Sequence, residues 1–129
     1  MTPNTYKVLT AGWSVTILFL TLSPGNQEPG WLDFIPHFDK LAHLIMFAVY
    51  ALLSVLGWGQ KKKSKKNVTI LRFWIIGSGI VFAAATEMLQ TQIPNRSADL
   101  LDWWADCLGL IVGLITYELV KKTRWSRKY

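Results

Sequence analysis

The chain has 129 residues, a net charge of +6 and a composition that is 51% hydrophobic with seven tryptophans. Its mean hydropathy of +0.26 excludes an ordinary soluble domain of this length and predicts a single membrane-embedded domain. The single cysteine, Cys107, excludes an intrachain disulfide and a cysteine-based zinc site within one chain.

Four apolar runs follow one another along the chain, at residues 6–22, 41–58, 68–90 and 100–120. Each approaches or exceeds the length of roughly 17 residues that a helix needs to cross a bilayer. No cleavage site typical of a signal peptide follows the first run, so we expect it to be retained. The sequence therefore predicts an all-α polytopic membrane protein, a bundle of four transmembrane helices forming one domain over residues 1–129.

The connections between the runs differ in character. Residues 23–38 contain three prolines and predict a loop, whose large apolar side chains, Trp31 and Phe34 among them, favour a position at the membrane interface. Residues 60–67 contain five lysines and predict a solvated loop. Anchoring at the membrane interface is sufficient to explain the aromatic side chains of residues 23–38 without a functional role.

Positive charge is distributed unequally between the two sides of the predicted bundle. The lysine-rich loop, the residues after position 120 and both chain ends fall on one side, and only Lys40 and Arg96 fall on the other. The excess of lysine and arginine in cytoplasmic segments predicts that both termini are cytoplasmic. We interpret the lysines as a topology signal, with contact to anionic lipid headgroups as a second role, and we expect no nucleic acid as a partner.

The second run opens with Asp39-Lys40-x-x-His43. Asp39 is the predicted N-cap of this helix, and the spacing of four residues places His43 on the same helix face. Taken alone, His43 fits a histidine that hydrogen-bonds a neighbour at a helix end. Polar residues in the later runs lie at the same predicted depth, which favours a functional role.

The third run ends with two polar residues, Glu87 and Gln90, on the face that also carries Gly79 and Ala83. Because the macrodipole disfavours an anion at the C-terminal end of a helix, Glu87 indicates a specific polar contact.

The fourth run carries a stripe of polar and small residues after the break at Pro94-Asn95 and the cation of Arg96. Spacings of three and four residues place the members of this stripe on one helix face: Asp99, Asp102, Asp106, Gly109 and Gly113. Asp99 is a predicted N-cap. The Gly109-x-x-x-Gly113 pair indicates close helix packing, so we expect the carboxylates to face protein.

All of these polar groups fall within roughly 10 Å of the outer interface, given a rise of 1.5 Å per residue. We therefore predict one pocket that opens outward. Glu87, His43 and Asp102 are the candidates for acid–base catalysis. The candidates for substrate binding are Asp39, Lys40, Gln90, Arg96 and Asp106, with Lys40 and Arg96 able to hold a phosphate or carboxylate.

In combination, these motifs resemble the VanZ-like membrane proteins. The resemblance covers nearly the whole chain and rests on Asp39-Lys40-x-x-His43, Glu87-x-x-Gln90, Arg96, Asp102 and the pair Gly109 and Gly113. The sequence departs from the family at Asp106, where asparagine is more common. The resemblance implies a four-helix domain in a prokaryotic inner or plasma membrane, associated through the family's namesake with teicoplanin resistance. It implies no particular reaction.

Three functions stay open at this point. The first is an enzyme acting on a lipid-linked or peptidoglycan-related molecule at the outer leaflet; no serine or cysteine lies beside a base, which disfavours acyl-enzyme chemistry. The second is a non-catalytic binder of a lipid headgroup or glycopeptide, and the third is an ion-pair network that only fixes helix packing. Expected partners are membrane lipids and a lipid-linked envelope precursor, and a homo-oligomer stays open. No cofactor is evident, although a divalent metal (Mg, Ca, Mn or Zn) is compatible with carboxylates and an imidazole.

Overall fold

The computed structural model describes residues 1–24, 37–59, 64–94 and 96–126, with side chains up to residue 123. These residues contain no strand and form four helices: α1 (Pro3–Leu22), α2 (Phe38–Gly59), α3 (Lys65–Gln90) and α4 (Leu100–Ser126). All four are long and apolar enough to cross a membrane, which confirms the predicted all-α bundle. The predicted interface position of Trp31 and Phe34 lies outside the described residues, as do the lysines at 61–63.

Three helices, α1, α2 and α3, begin three residues before their apolar runs. At the start of α1, the Thr2 hydroxyl accepts a hydrogen bond from the backbone N–H of Thr5, and a proline follows the cap. Helix α3 begins at Lys65, so the prediction of a loop was wrong for residues 65–67. Lysine is a good helix former, and its long side chain can reach water from the end of a spanning helix.

Helix α2 begins at Phe38, which corrects the predicted role of Asp39 as its N-cap. The backbone N–H of Leu41 donates to the carbonyl of His37 (3.1 Å), so His37 precedes the helix and Asp39 lies within its first turn. His37 has a positive φ of 58°, which turns the chain immediately before the helix. Asp39 is therefore favoured by the helix dipole and not by a capping bond.

Helix α4 begins as predicted, because the Asp99 carboxylate accepts a hydrogen bond from the N–H of Leu101 (2.8 Å). The helix continues to Ser126, beyond the predicted end at residue 120.

Helix α2 is central to the bundle: it packs most extensively on α4 and also contacts α1 and α3. Buried apolar side chains from all four helices form the core, namely Ile17, Met46, Phe47, Ala51, Val55, Ile75, Ala83 and Leu110. The outer surface is also apolar, with Phe19, Phe73 and Trp74 each more than 70% exposed. Such an exterior suits lipid, because spanning helices satisfy their own backbone hydrogen bonds.

Helices α2 and α4 approach each other closely through the two glycines of the α4 stripe. A Cβ atom on Gly109 would collide with the backbone carbonyl of Leu44, and one on Gly113 would collide with that of Ala48. The spacing of four residues is the same on both helices, so they run side by side in the same direction. This register brings the N-terminal ends of α2 and α4 together.

Candidate functional site

The polar residues near the N-terminal ends of α2 and α4 form two adjacent clusters. We call Lys40, Asp39, Asp99 and Asp102 the lysine cluster, and His43, Glu87 and Asp106 the histidine cluster. Lys40 and His43 are three residues apart on α2, and Asp102 and Asp106 are four apart on α4. Because the helices are parallel, Lys40 meets Asp102 in one layer and His43 meets Asp106 one turn deeper.

The lysine cluster is fully paired. The Lys40 ammonium donates to Asp39 (3.0 Å), Asp99 (2.8 Å) and Asp102 (3.0 Å). An ammonium has three donor hydrogens, so these carboxylates use all of them. The ammonium also lowers the pKa of the Asp99 carboxyl below its ordinary value. The cluster thus ties the first turn of α2 to the cap of α4.

The histidine cluster is buried. His43, Glu87 and Asp106 are 5%, 6% and 0% exposed. His43 Nδ1 lies 3.0 Å from Asp106 Oδ1 and 3.9 Å from Glu87 Oε1. A ring nitrogen at 3.0 Å from a carboxylate oxygen is within hydrogen-bonding distance, whereas 3.9 Å is not.

Glu87 connects α3 to the start of α4. Its Oε2 accepts a hydrogen bond from the backbone N–H of Asp99 (2.9 Å), which accounts for one oxygen of a carboxylate at an unfavourable helix end. Among the described residues, Glu87 Oε1 and Asp106 Oδ2 are buried without a hydrogen-bond partner. Unpaired buried carboxylate oxygens are costly, so these two atoms mark where a ligand or proton is needed.

Two predicted binding residues make no hydrogen bond or ion pair with either cluster among the described residues. The Gln90 side chain is buried and donates to the carbonyl of Thr21 (3.2 Å), which ties α3 to α1. Arg96 Nε is buried and has no hydrogen-bond partner within the described part of the chain. Arg96 therefore retains its capacity to bind an anion, whereas Lys40 already binds three carboxylates.

A groove of about 460 Å³ lies between α3 and α4, and Glu87 is one of its lining residues. Its walls are mainly apolar and include Ala84, Met88, Leu100 and Trp103. Sequence reasoning missed Trp103, whose indole N–H is buried without a partner among the described residues. The available signal was its position four residues after Asp99, which places it one helical turn from the cap.

Each cluster contains three side chains that offer ligand atoms within 4.8 Å of one another. These are His43, Glu87 and Asp106 in one group and Asp39, Asp99 and Asp102 in the other. The second group already surrounds the Lys40 ammonium, whereas the first contains no permanent cation among the described residues. The two clusters therefore differ in what they can do: the lysine cluster joins helices, and the histidine cluster can accept a proton or a cation.

Comparison with known proteins gives a family match that spans all of these residues. The model of the VanZ/LLP1 family matches residues 3–121, nearly the whole chain. No curated protein and no solved structure matches the chain. The matched segment contains α1, α2 and α3 completely and includes every member of the two clusters.

Proposed function

The chain belongs to the VanZ/LLP1 family, and we propose that it binds and chemically alters a lipid-linked or peptidoglycan-related molecule at the outer leaflet of a prokaryotic inner or plasma membrane. In this proposal both termini are cytoplasmic, as the distribution of lysine and arginine predicts. The two clusters then lie at the outer end of the bundle.

The groove between α3 and α4 supports the lipid part of the proposal. Met88 and Leu100 line it and are 72% and 68% exposed, so it opens on the apolar surface that faces the membrane. Ligand sites commonly combine apolar walls with a few polar groups that fix orientation. An acyl or isoprenoid chain would contact the apolar wall, and its headgroup would lie beside Glu87.

The proposed chemical reaction is supported by the position of Glu87 Oε1. This buried atom has no hydrogen-bond partner among the described residues, belongs to a groove-lining side chain and lies 3.9 Å from His43 Nδ1. A positioned carboxylate next to an imidazole is suited to proton transfer. Glu87 would exchange a proton with the headgroup, and His43 Nδ1, which faces both carboxylates, would carry the proton between Glu87 and Asp106.

Arg96 would hold the anionic group of the headgroup. Its Nε is without a hydrogen-bond partner among the described residues, and a guanidinium matches phosphate or carboxylate geometry. Lys40 is less suitable because it binds three carboxylates, and releasing it would leave them without their cation. Asp102 would then act through Lys40 and not on the substrate.

Occupation of the groove can be tested by native mass spectrometry of the detergent-purified protein. We expect a lipid phosphate or glycolipid to remain bound to the wild-type chain and to be lost in Ala84→Phe, which fills the groove. Ala85→Phe is the matched control, because Ala85 is exposed on the same helix and does not line the groove. Equal lipid binding by the two variants would contradict the assignment of the groove.

Catalysis and simple binding are separated by Glu87→Gln and Arg96→Ala. For an enzyme, Glu87→Gln should retain the lipid and abolish conversion of envelope precursors in reconstituted vesicles, since the amide cannot exchange the proton. For a non-catalytic binder, Arg96→Ala should weaken retention and Glu87→Gln should change little. Glu118→Gln is the control, because Glu118 pairs with Arg72 at the opposite end of the bundle.

We extend the proposal to glycopeptide resistance, which the family resemblance implies. Expression of the wild-type chain in a susceptible host should raise teicoplanin tolerance, and Glu87→Gln should remove that gain at equal membrane abundance. Equal tolerance of cells with the wild-type and Glu87→Gln proteins would contradict a role for this site in resistance.

A further inference from the structure

We infer that His43, Glu87 and Asp106 bind one divalent transition-metal ion, with Zn²⁺ the best match. The three side chains come from three different helices, and each offers a ligand atom within 4.8 Å of the other two. Glu87 Oε1 and Asp106 Oδ2 are both buried without a hydrogen-bond partner in the described part of the chain. A bound cation would satisfy these oxygens, which no protein donor among the described residues does.

The separations from His43 Nδ1 to one oxygen of each carboxylate suit a small metal ion; for Asp106 this oxygen is Oδ1, which faces the ring. Zinc binds histidine nitrogen and carboxylate oxygen at about 2.0–2.2 Å, so neighbouring ligand atoms of a tetrahedral ion lie roughly 3.3–3.6 Å apart. The observed distances from His43 Nδ1 are 3.0 Å to Asp106 Oδ1 and 3.9 Å to Glu87 Oε1, on either side of that range. Shifts of a few tenths of an ångström would therefore produce coordination.

The charge of the cluster also matches a dication. Two carboxylates and a neutral imidazole carry a charge of −2, and isolated charges are costly to bury. A divalent ion makes the group neutral, whereas without it the same neutrality requires two protons shared among three side chains. His43 is 5% exposed and Asp106 is 0% exposed, so water does little to screen the charge.

The chemistry of the ligands selects among metals and between the clusters. Magnesium and calcium prefer oxygen ligands, while an imidazole nitrogen favours zinc and other transition ions. The group of Asp39, Asp99 and Asp102 lacks nitrogen and already holds the Lys40 ammonium at 2.8–3.0 Å. A metal there would have to displace Lys40, so the histidine cluster is the metal site.

This inference deepens the proposed function, and its chemical role rests on that proposal. Three protein ligands are typical of catalytic zinc sites, which keep a further position for water or substrate. Glu87 belongs both to the ligand set and to the groove, so a headgroup phosphate in the groove would lie next to the ion. With the ion bound, Glu87 and His43 would act as its ligands in place of the proton transfer proposed above, and the ion would polarise that group or a bound water.

Metal binding can be measured without any lipid ligand. The full chain is purified in detergent without a polyhistidine tag, stripped with chelator and titrated with Zn²⁺ by calorimetry. The expected result is one ion per chain, with affinity lowered by about 100-fold or more in His43→Ala and Asp106→Asn, since even changes around a metal's ligands cost 10–100-fold. Glu118→Gln and Asp39→Asn are carboxylate controls and should bind as the wild type does.

Substitution of the wild-type protein with Co²⁺ gives a second readout that does not depend on the folding of a variant. The visible spectrum of the bound Co²⁺ should show low-symmetry nitrogen and oxygen coordination and no thiolate charge-transfer band, which separates this site from Cys107. Failure of the wild type to bind either ion, or loss of binding in Asp39→Asn with retention in His43→Ala, would overturn the inference. Ala84→Phe should lose the bound lipid and keep the metal. A failure of the proposed lipid groove can therefore be distinguished from a failure of the proposed metal site.

Discussion

The close approach of Gly109 on α4 to α2 allows a quantitative prediction for Gly109→Ala. A Cβ atom at this position would overlap the backbone carbonyl of Leu44, which cannot move unless α2 itself moves. Gly77→Ala is the matched control, because a Cβ atom there meets nothing within 4 Å. Both changes replace a helical glycine with alanine, so they differ only in the space available.

Only Gly109→Ala should lower the stability of the protein. Alanine improves helix propensity by about 1 kcal/mol over glycine, so Gly77→Ala should be neutral or stabilising. Overpacking costs about 1–3 kcal/mol, and a rigid backbone neighbour favours the upper end. Subtracting the gain in propensity from roughly 3 kcal/mol leaves a net loss of about 2 kcal/mol for Gly109→Ala.

The same substitution should weaken the histidine cluster. Gly109 lies three residues after Asp106 on α4, and its neighbour Leu44 directly follows His43 on α2. Spreading the helices at this point lengthens the 3.0 Å contact between His43 and Asp106. We expect reduced Zn²⁺ affinity in Gly109→Ala and wild-type affinity in Gly77→Ala.

The measurement is the unfolding equilibrium of each variant in mixed detergent micelles, followed by tryptophan fluorescence, together with Zn²⁺ titration. Equal stability of Gly109→Ala and Gly77→Ala would show that α2 and α4 are not in close contact at this position. The reasoning about the register of the two clusters would then be refuted as well.

Three further outcomes follow from individual contacts. Lys40→Met should cost about 1–3 kcal/mol of stability in the same unfolding assay. This is less than the roughly 3–5 kcal/mol of a fully buried pair, because the Lys40 side chain is 21% exposed. Asp39→Asn, whose side chain is 56% exposed, should cost much less, and equal losses in the two variants would contradict the pairing. Trp13→Phe should lower the free energy of unfolding by about 0.5–1.5 kcal/mol, because it removes the indole hydrogen bond to the Met46 carbonyl (2.8 Å). Trp74→Phe on the exposed surface should leave the stability unchanged, and unchanged stability in both variants would exclude that bond. The pKa of Asp99 is lowered in the folded state, so the stabilising effect of its carboxylate is complete above the ordinary pKa of 3.8 and is lost as pH falls through the folded value. The difference in stability between wild type and Asp99→Asn should therefore shrink below about pH 4. A difference that stays constant across the pH titration would contradict this role of Asp99.

The sequence alone determined the four helices and the faces that α3 and α4 bury. Long apolar runs and spacings of three and four residues depend only on the geometry of one helix, so the stripe of Asp102, Asp106, Gly109 and Gly113 was predictable and is buried. The Asp99 cap was predictable for the same local reason. The proximity of His43, Glu87 and Asp106 followed from their common depth, and the structure brings their ligand atoms together.

Only the tertiary structure decided how the polar residues are paired. Lys40 was a candidate for binding an anion and instead binds three aspartates, while Gln90 contacts α1 and not the clusters. Trp103 gained its place in the groove only from the packing of α3 against α4. Each residue along a helix adds 1.5 Å of rise and about 100° of rotation, so contacts between helices depend on their relative shift and rotation. Those quantities are fixed by close approaches such as that of Gly109 to Leu44. The glycine pair indicated close packing, but no local pattern specified which helix and which residue it would meet.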